Sequence, residues 1–466
     1  TVLLVYGTGR LLRGAWFGVA AAALYAGAVL PIQQSHFFTS EAFLTTCMTA
    51  TLLFSLLFYR TGRLYALILA GVATGLSLAC KISALPVAAL PVLAVLLYGL
   101  QKPGLGVRGW ARMAGLAVLA GLAALLSLMV SDPYAVLDVQ TYRAQLEFVL
   151  ASNAQQGALD EWYTRKYVST WPIFYPWGQL SLIGAGPLVG LCGTLGIGVA
   201  VARAWQGKRE YLLLLAGAAG YFSGIAFSDA KWVRYLMPLV PYICLFAALL
   251  AYSLLDAPVR ERARNFLHRA TVSALVGSAI LGALAYTAIY NAGETRIRAS
   301  RWIYDNIAPG SNIALEVNDI GLPLVLPNAK YYNRVMLPIL DDKPTAEIST
   351  VLRDGLTVAD YIVIAGTRST RTVPQLPWRY PVQIRFYELL FSEQLGFTPV
   401  YAATSYPSIF GLQIKDDAAP VDASFSEYDH PPVRIFKKAR QLSDAEWSAL
   451  FAEAVSKPSV ATRQAP

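Results

Sequence analysis

Charge is what this 466-residue chain has least of: 14% of its residues are Asp, Glu, Lys or Arg, against 56% hydrophobic. That balance excludes both an ordinary soluble domain of this size and a disordered chain. Cysteine is scarcer still. Cys47, Cys80, Cys192 and Cys244 all lie in apolar runs without metal-ligand spacing, so they read as small core residues and build neither a disulfide framework nor a zinc module. The sequence has no H-E-x-x-H, no G-x-S-x-G elbow and no phosphate-cradling glycine loop. Zinc protease, α/β-hydrolase and ATP-driven transport chemistry therefore lack support.

What the chain has in quantity is apolar length. Residues 1 to about 292 repeat apolar runs of roughly 17–25 residues, enough to cross ~30 Å of hydrocarbon. Nine complete spans are expected near 15–31, 41–59, 64–80, 83–99, 113–131, 178–202, 211–228, 236–254 and 270–290. The opening T-V-L-L-V-Y-G-T-G reads as the last turns of one more span. With no initiator Met and no signal peptide, the chain is expected to be truncated at its N-terminus. After Gly293 the pattern changes to short alternating segments and frequent charges. The expected organisation is a polytopic α-helical membrane domain over 1–292, a small soluble α/β domain over 293–456 and a disordered tail over 457–466.

A net charge of +9 raises nucleic acid as a partner, but the basic residues sit in alternate loops beside spans. One set holds Arg10 and Arg13; Arg60 and Arg63; Lys102, Arg108 and Arg112; Arg203, Lys208 and Arg209; and Arg260, Arg262, Arg264 and Arg269. The positive-inside rule makes these loops cytoplasmic and the others outward, together with everything after residue 292. The expected location is a cell (inner or plasma) membrane, crossed many times, with an extracytoplasmic C-terminal domain and no nucleic-acid partner.

The unusual polar residues then fall on one side. P-I-Q-Q-S-H-F-F-T-S-E-A-F-L, from Pro31 to Leu44, puts a glutamine pair, a histidine, hydroxyls and Glu41 at the start of a span. An intramembrane acid is costly unless paired or hydrated, which marks Glu41 as a functional candidate, although a helix N-terminus also favours an acid. His36 is a candidate proton carrier; a lone histidine is more often structural. Lys81 ends the small-residue span G-V-A-T-G-L-S-L-A-C-K shortly before Pro86, and either snorkels to headgroups or binds an anion. In D-A-K-W-V-R-Y-L-M-P, Lys231 and Arg234 stand three apart beside Trp232 and Tyr235. Aromatics there are ordinary interface anchors, while the cations suit a phosphate. The long loop 132–177, with S-D-P-Y-A-V-L-D and D-E-W-Y-T-R-K-Y, reads as a segment lying on the membrane surface, with stacking of its aromatic rings on sugars as the alternative.

In the tail, R-I-R-A-S-R-W-I-Y-D-N-I predicts a helix stopping at Ala308-Pro309-Gly310. S-N-I-A-L-E-V, N-R-V-M-L-P-I, D-Y-I-V-I-A and V-R-I-F predict strands, and 347–356 and 382–395 helices. S-D-A-E at 443–446 has capping-box spacing and opens a last helix. Asp429-His430-Pro431 reads as a turn into V-R-I-F, since no nucleophile accompanies it.

In chain order, S-H-F-F-T-S-E, G-V-A-T-G-L-S-L-A-C-K and K-W-V-R-Y-L-M-P-L-V-P resemble the GT-C membrane glycosyltransferases. The resemblance is to the family 39 type, which includes protein mannosyltransferases and aminoarabinose transferases, and K-x-x-R-Y-x-x-P is its most specific part. R-W-I-Y-D-N-I-A-P-G-S, A-D-Y-I-V-I-A-G-T-R and E-Y-D-H-P-P-V-R-I-F resemble the tails of bacterial cell-envelope members. The resemblance implies an enzyme that moves a hexosyl or pentosyl unit from a polyprenyl-phosphate carrier to a lipid, glycan or protein acceptor on the outer face. It implies that Glu41 matches the acid of a second outward loop, and that Lys81, Lys231 and Arg234, with Tyr235 beside them, lie near the carrier phosphate. His36 joins Glu41 as a candidate on the catalytic side. The family's general base belongs to a first outward loop, beyond which this chain begins. Members differ in their need for a divalent metal; a metal is compatible with the resemblance, but no ligand set for one is visible in the sequence.

The chemistry is consistent with these residue types. Transfer from a lipid phosphate needs a carboxylate to take the acceptor's proton and cations to stabilise the leaving phosphate. A lipid-linked glycan transporter would instead show polar residues through the spans and internal repeats, and neither is found. A non-catalytic envelope protein would leave the outward charges scattered.

Overall fold

The computed structural model describes residues 1–154, 162–317 and 320–457. The chain divides into two compact units, 1–157 with 170–284, and 158–169 with 285–466. The expected 457–466 tail falls, from residue 458 on, outside the described residues.

Among the described residues the elements of the first unit are all helical. The order is α1 (Val2–Arg13), α2 (Ala15–Ala26), α3 (Val29–Gln34), α4 (Ser40–Thr61) and α5 (Leu64–Cys80). A 3₁₀ turn, Ile82–Ala88, leads into α6 (Ala89–Gly99), followed by α7 (Val107–Ser131), α8 (Tyr134–Leu137) and α9 (Val139–Ala154). Then come α10 (Phe174–Gln179), α11 (Pro187–Trp205) and α12 (Glu210–Ala226). A second 3₁₀ turn, Val233–Leu239, leads into α13 (Val240–Ser253), and α14 (Glu261–Thr287) follows. Among the described residues six helices are long and apolar enough to cross a membrane, and α2, α5 and α12 are shorter apolar helices. This is a multi-pass membrane protein.

Two of the expected spans are interrupted. The one near 15–31 stops at Ala26 and restarts as α3 after Ala28, which is extended (φ −72°, ψ 134°); Gly27 beside the break packs closely on α14, where a Cβ would lie 2.9 Å from Ala279. The one near 178–202 is split by a π-turn at Leu180–Gly184 and by Gly186, whose φ of 91° sets up Pro187 at the first position of α11.

Small residues let these helices touch backbone to backbone. A Cβ on Gly71 or Gly75 of α5 would sit 2.4 Å from the Ala120 carbonyl oxygen or 2.1 Å from that of Ala124, both on α7. On α11, a Cβ at Gly193 or Gly196 would meet the α13 carbonyl oxygens of Ile243 at 2.8 Å or Phe246 at 2.0 Å. This is the small-residue crossing favoured where lipid offers no hydrophobic drive between helices. Helix α13 is buried without a break from Val240 to Leu249, whereas α7 leaves Val118, Leu122, Leu125 and Leu126 exposed, as a lipid-facing helix should.

The second unit is a three-layer α/β domain. A 3₁₀ turn, Ala288–Ala292, continues α14 and is followed by α15 (Thr295–Asn306), β1 (Asn312–Glu316), β2 (Asn333–Leu337), α16 (Thr345–Val358) and β3 (Tyr361–Ile364). Next are α17 (Arg368–Thr372), α18 (Pro381–Phe391), β4 (Phe397–Ala403), β5 (Ser408–Ile409) and β6 (Leu412–Gln413). The chain ends with α19 (Ala423–Ser426), β7 (Val433–Lys438) and α20 (Asp444–Ser456). The sheet order is β2-β1-β3-β7-β4, with β1 parallel to β2 and β3, and β7 antiparallel to β3 and β4. Alternation sorts the side chains: Ala314, Ile362, Ile364 and Phe436 pack under α16, α18 and α20, while Ile313, Leu315, Val363 and Ile435 pack with α15. Ser443 and Glu446 form the expected capping box on α20.

W-Y-T-R-K-Y, expected on the membrane surface, is folded into the second unit; the Asp160 and Glu161 before it lie outside the described residues. Arg165 is buried, donating to the Leu340 carbonyl at 2.9 Å, to Asp342 at 2.5 Å and to the Tyr380 hydroxyl. Lys166 reaches Asp422 at 3.1 Å. These partners lie far along the chain, so periodicity could not show that the charges are satisfied inside a domain.

Candidate functional site

The stretch from Pro31 to Leu44 is two helix ends and the turn between them. Helix α3 finishes at Gln34, and Thr39 caps α4. Gln33 and Gln34 are buried; Gln34 donates to Gln33 at 3.3 Å and accepts from the Thr39 hydroxyl at 3.3 Å. Glu41 lies in the first turn of α4, where the helix dipole favours an acid, yet it points inward and is 3% exposed. A buried carboxylate needs partners.

Two broken helices supply them. Helix α5 stops at Cys80 and Lys81 is extended (φ −166°, ψ 126°) before the 3₁₀ turn that contains Pro86. The same device recurs at Trp232, extended at φ −60°, ψ 134°, before the 3₁₀ turn that contains Pro238. In both, a proline lacking its N–H keeps the first turn from starting as regular α-helix, so the residues just before it splay toward α4.

The result is a compact charge cluster. Lys81 Nζ lies 3.3 Å from Glu41 Oε1 and 3.3 Å from the centre of the Tyr235 ring. Arg234 Nε lies 3.7 Å from the same Oε1, and its guanidinium carbon stands 5.0 Å from the Trp232 ring centre and 5.3 Å from that of Tyr235. The Ser40 hydroxyl faces Glu41 Oε2 at 3.5 Å. The Tyr221 hydroxyl donates to the Tyr235 carbonyl at 3.2 Å and steadies that turn. One carboxylate oxygen thus faces two cations, each 28% exposed.

Of the residues picked out in the sequence, Glu41, Lys81, Arg234 and Tyr235 come together. Lys231 is buried on the same connection; burial pulls its ammonium pKa down, against the raising effect of Asp229. His36 is exposed, its Nδ1 2.9 Å from the Ile32 carbonyl one turn back, and it is not among the partners of Glu41. Among the described residues no group of three His, Cys, Asp or Glu could hold a metal ion. A divalent cation at Glu41 would have to displace Lys81 and Arg234, so these residues fit an anion better than a metal.

A second buried charge cluster escaped the sequence reading. His430 does follow a turn into β7, but Nδ1 faces Asp429 Oδ1 at 2.5 Å and Nε2 faces Asp416 Oδ2 at 2.8 Å. Tyr286 and Tyr290 donate to Asp429 Oδ2 at 2.7 and 2.9 Å. Burial alone would lower the His430 pKa; the hydrogen bonds and charges of Asp416 and Asp429 win and push it up to about 9. With both ring nitrogens engaged, His430 is an ion-paired strut and offers no base. Only spatial proximity to Asp416 and Tyr286 reveals this.

Residues 1–131 match the family model described as dolichyl-phosphate-mannose-protein mannosyltransferase. Glu41 and Lys81 lie within that match; Lys231 and Arg234 lie beyond it. No curated protein matches the chain. Among solved structures the chain is similar to the archaeal oligosaccharyltransferase AglB from Archaeoglobus fulgidus in complex with an inhibitory peptide and a dolichol-phosphate, and to the oligosaccharyltransferase of the same organism in the apo form. Each shows 13% identity and a TM-score of 0.43, over 90% of this chain and 62% of the other. The chain therefore spans less than two thirds of those structures. A TM-score of 0.43 is too low to carry residues or roles across.

Proposed function

We propose that this membrane protein of GT-C type, the class to which the match over residues 1–131 points, transfers a sugar from a polyprenyl-phosphate carrier to a lipid, glycan or protein acceptor outside the cytoplasm. The observation that carries the reading is the meeting of Lys81, Arg234 and Glu41 in one cluster. In the reaction an acceptor oxygen or nitrogen bonds to the anomeric carbon as the bond from that carbon to the phosphate oxygen breaks. The acceptor's proton passes to a base, and the carrier leaves as its phosphate monoester. Lys81 and Arg234 hold that phosphate and stabilise the charge that grows on it. The Arg234 guanidinium, close to two rings, presents a fork to two oxygens, and the Lys81 ammonium acts as a point charge over Tyr235. Glu41, with Oε1 already engaged by both cations, serves as the clamp that positions them. The alternating basic loops support placing residues 293–456 on the same outer side.

The test is turnover of synthetic polyprenyl-phosphate sugars by the full chain in bilayer discs, read as release of free polyprenyl phosphate. Release with at least one sugar is the expected result. Failure with every donor, together with movement of the intact lipid-linked sugar between leaflets, would replace the enzyme with a transporter.

A further inference from the structure

In the second unit, β5 and β6 form a small hairpin whose tip is a two-residue turn, Phe410-Gly411, with φ of 50° and 82°. Such a turn suits Asn-Gly; a bulky aromatic at its first position is strained. The strained residue is also the most exposed large apolar side chain of this unit among the described residues, at 93%. It is not isolated. Register pairs Ile409 with Leu412 and Ser408 with Gln413, so Ile409, Leu412 and Ile414 share one face while Ser408 and Gln413 share the other. Leu412 is 72% exposed and Ile414 54%, with exposed Lys415 next to them.

The base of the hairpin is anchored at an informative place. Strand β5 packs against the turn Ala288–Ala292, and the Ser405 hydroxyl donates to the Ile289 carbonyl at 3.2 Å. That turn continues α14, where the apolar run A-I-L-G-A-L-A-Y-T-A-I-Y gives way to N-A-G-E-T-R. The end of a membrane-crossing apolar run lies at the boundary between acyl chains and headgroups.

We infer that the 408–414 hairpin is a membrane-inserting wedge: Phe410, Leu412 and Ile414 dip into the lipid beside the exit of α14, and Lys415 meets headgroup phosphates. Lipid is the occupant that accounts for an amphipathic hairpin fixed at this depth with its apolar face uncovered. The inference rests on the membrane-spanning character of the chain and not on its proposed reaction.

Nitroxide labels at Phe410→Cys and, separately, Gln413→Cys test it, in full-length protein in bilayer discs with Cys47, Cys80, Cys192 and Cys244 changed to Ala. The label at 410 should relax faster with oxygen, which concentrates in lipid, than with a water-soluble nickel chelate; the label at 413 should show the reverse. A second measurement needs no substitution: hydroxyl-radical footprinting of the native chain in discs should spare Phe410 while oxidising Tyr331, which is 76% exposed. Nickel-accessible labels at both positions, or Phe410 oxidised as readily as Tyr331, would overturn the wedge. Radical protection at Phe410 with no oxygen preference at the label would mean that protein covers it, which also rejects lipid as the occupant.

Discussion

Replacing Arg234 with Ala separates a phosphate ligand from a membrane anchor. Its guanidinium lies close to the rings of Trp232 and Tyr235 with Nε 3.7 Å from Glu41, so it is held in place before any carrier binds. A charge-assisted hydrogen bond to phosphate contributes about 1.5–3 kcal/mol, which is roughly 10- to 150-fold at about 1.4 kcal/mol per decade. Arg234 is 28% exposed and already partly neutralised by Glu41, so the lower end applies. Transfer should fall roughly 10-fold, by that same charge-assisted bond energy. Arg234→Lys should recover part of this, since an ammonium keeps the charge but lacks the fork. The assay is sugar release from a synthetic polyprenyl-phosphate donor, per folded molecule. Simple anchoring predicts less folded protein with unchanged turnover, and wild-type turnover in Arg234→Ala would refute the phosphate role.

Two further expectations follow from the buried charges. Glu41→Gln should lower the melting temperature in discs, and a double-mutant cycle with Lys81→Met should show coupling of roughly 0.5–3 kcal/mol; additive effects would mean that the 3.3 Å contact does not clamp Lys81. In the second unit, His430 is raised from 6.5 to about 9, so its stabilisation is complete below about pH 6.5 and is lost as pH rises through about 9. Asp429 is shifted the other way: burial would raise it, but its bonds from His430, Tyr286 and Tyr290 hold it below its ordinary value. Its contribution is present above about pH 3.8 and is lost as pH falls through the lower folded value. Melting should therefore drop between pH 6.5 and 9.5, by an amount corresponding to about 3 kcal/mol at 1.36 kcal/mol per pKa unit, and His430→Gln should flatten that slope. An unchanged slope in the variant would remove His430 as its source.

Whatever depends on neighbours a few residues away was legible from the residues alone. Apolar runs became helices, the buried-type strand D-Y-I-V-I-A became β3 at the centre of the sheet, and S-D-A-E capped α20, because hydrophobic period and capping are local properties. Strand β4 was hidden by Pro399, which breaks the strand pattern; the structure tolerates it because β4 is an edge strand whose register shifts between Pro399 and Tyr401. Phe410-Gly411 carries no ordinary hairpin signal, since the turn is built from a residue that disfavours it. The residue types of the candidate site were legible, because Glu41, Lys81 and Arg234 are expensive in an apolar setting and so stand out. Their meeting was not. It depends on two 3₁₀ turns that each contain a proline, and on which helices pack on α4. Packing alone makes one carboxylate oxygen face both cations and locks His430 between two acids. Pairing between distant charges is fixed by packing, and no local pattern records it.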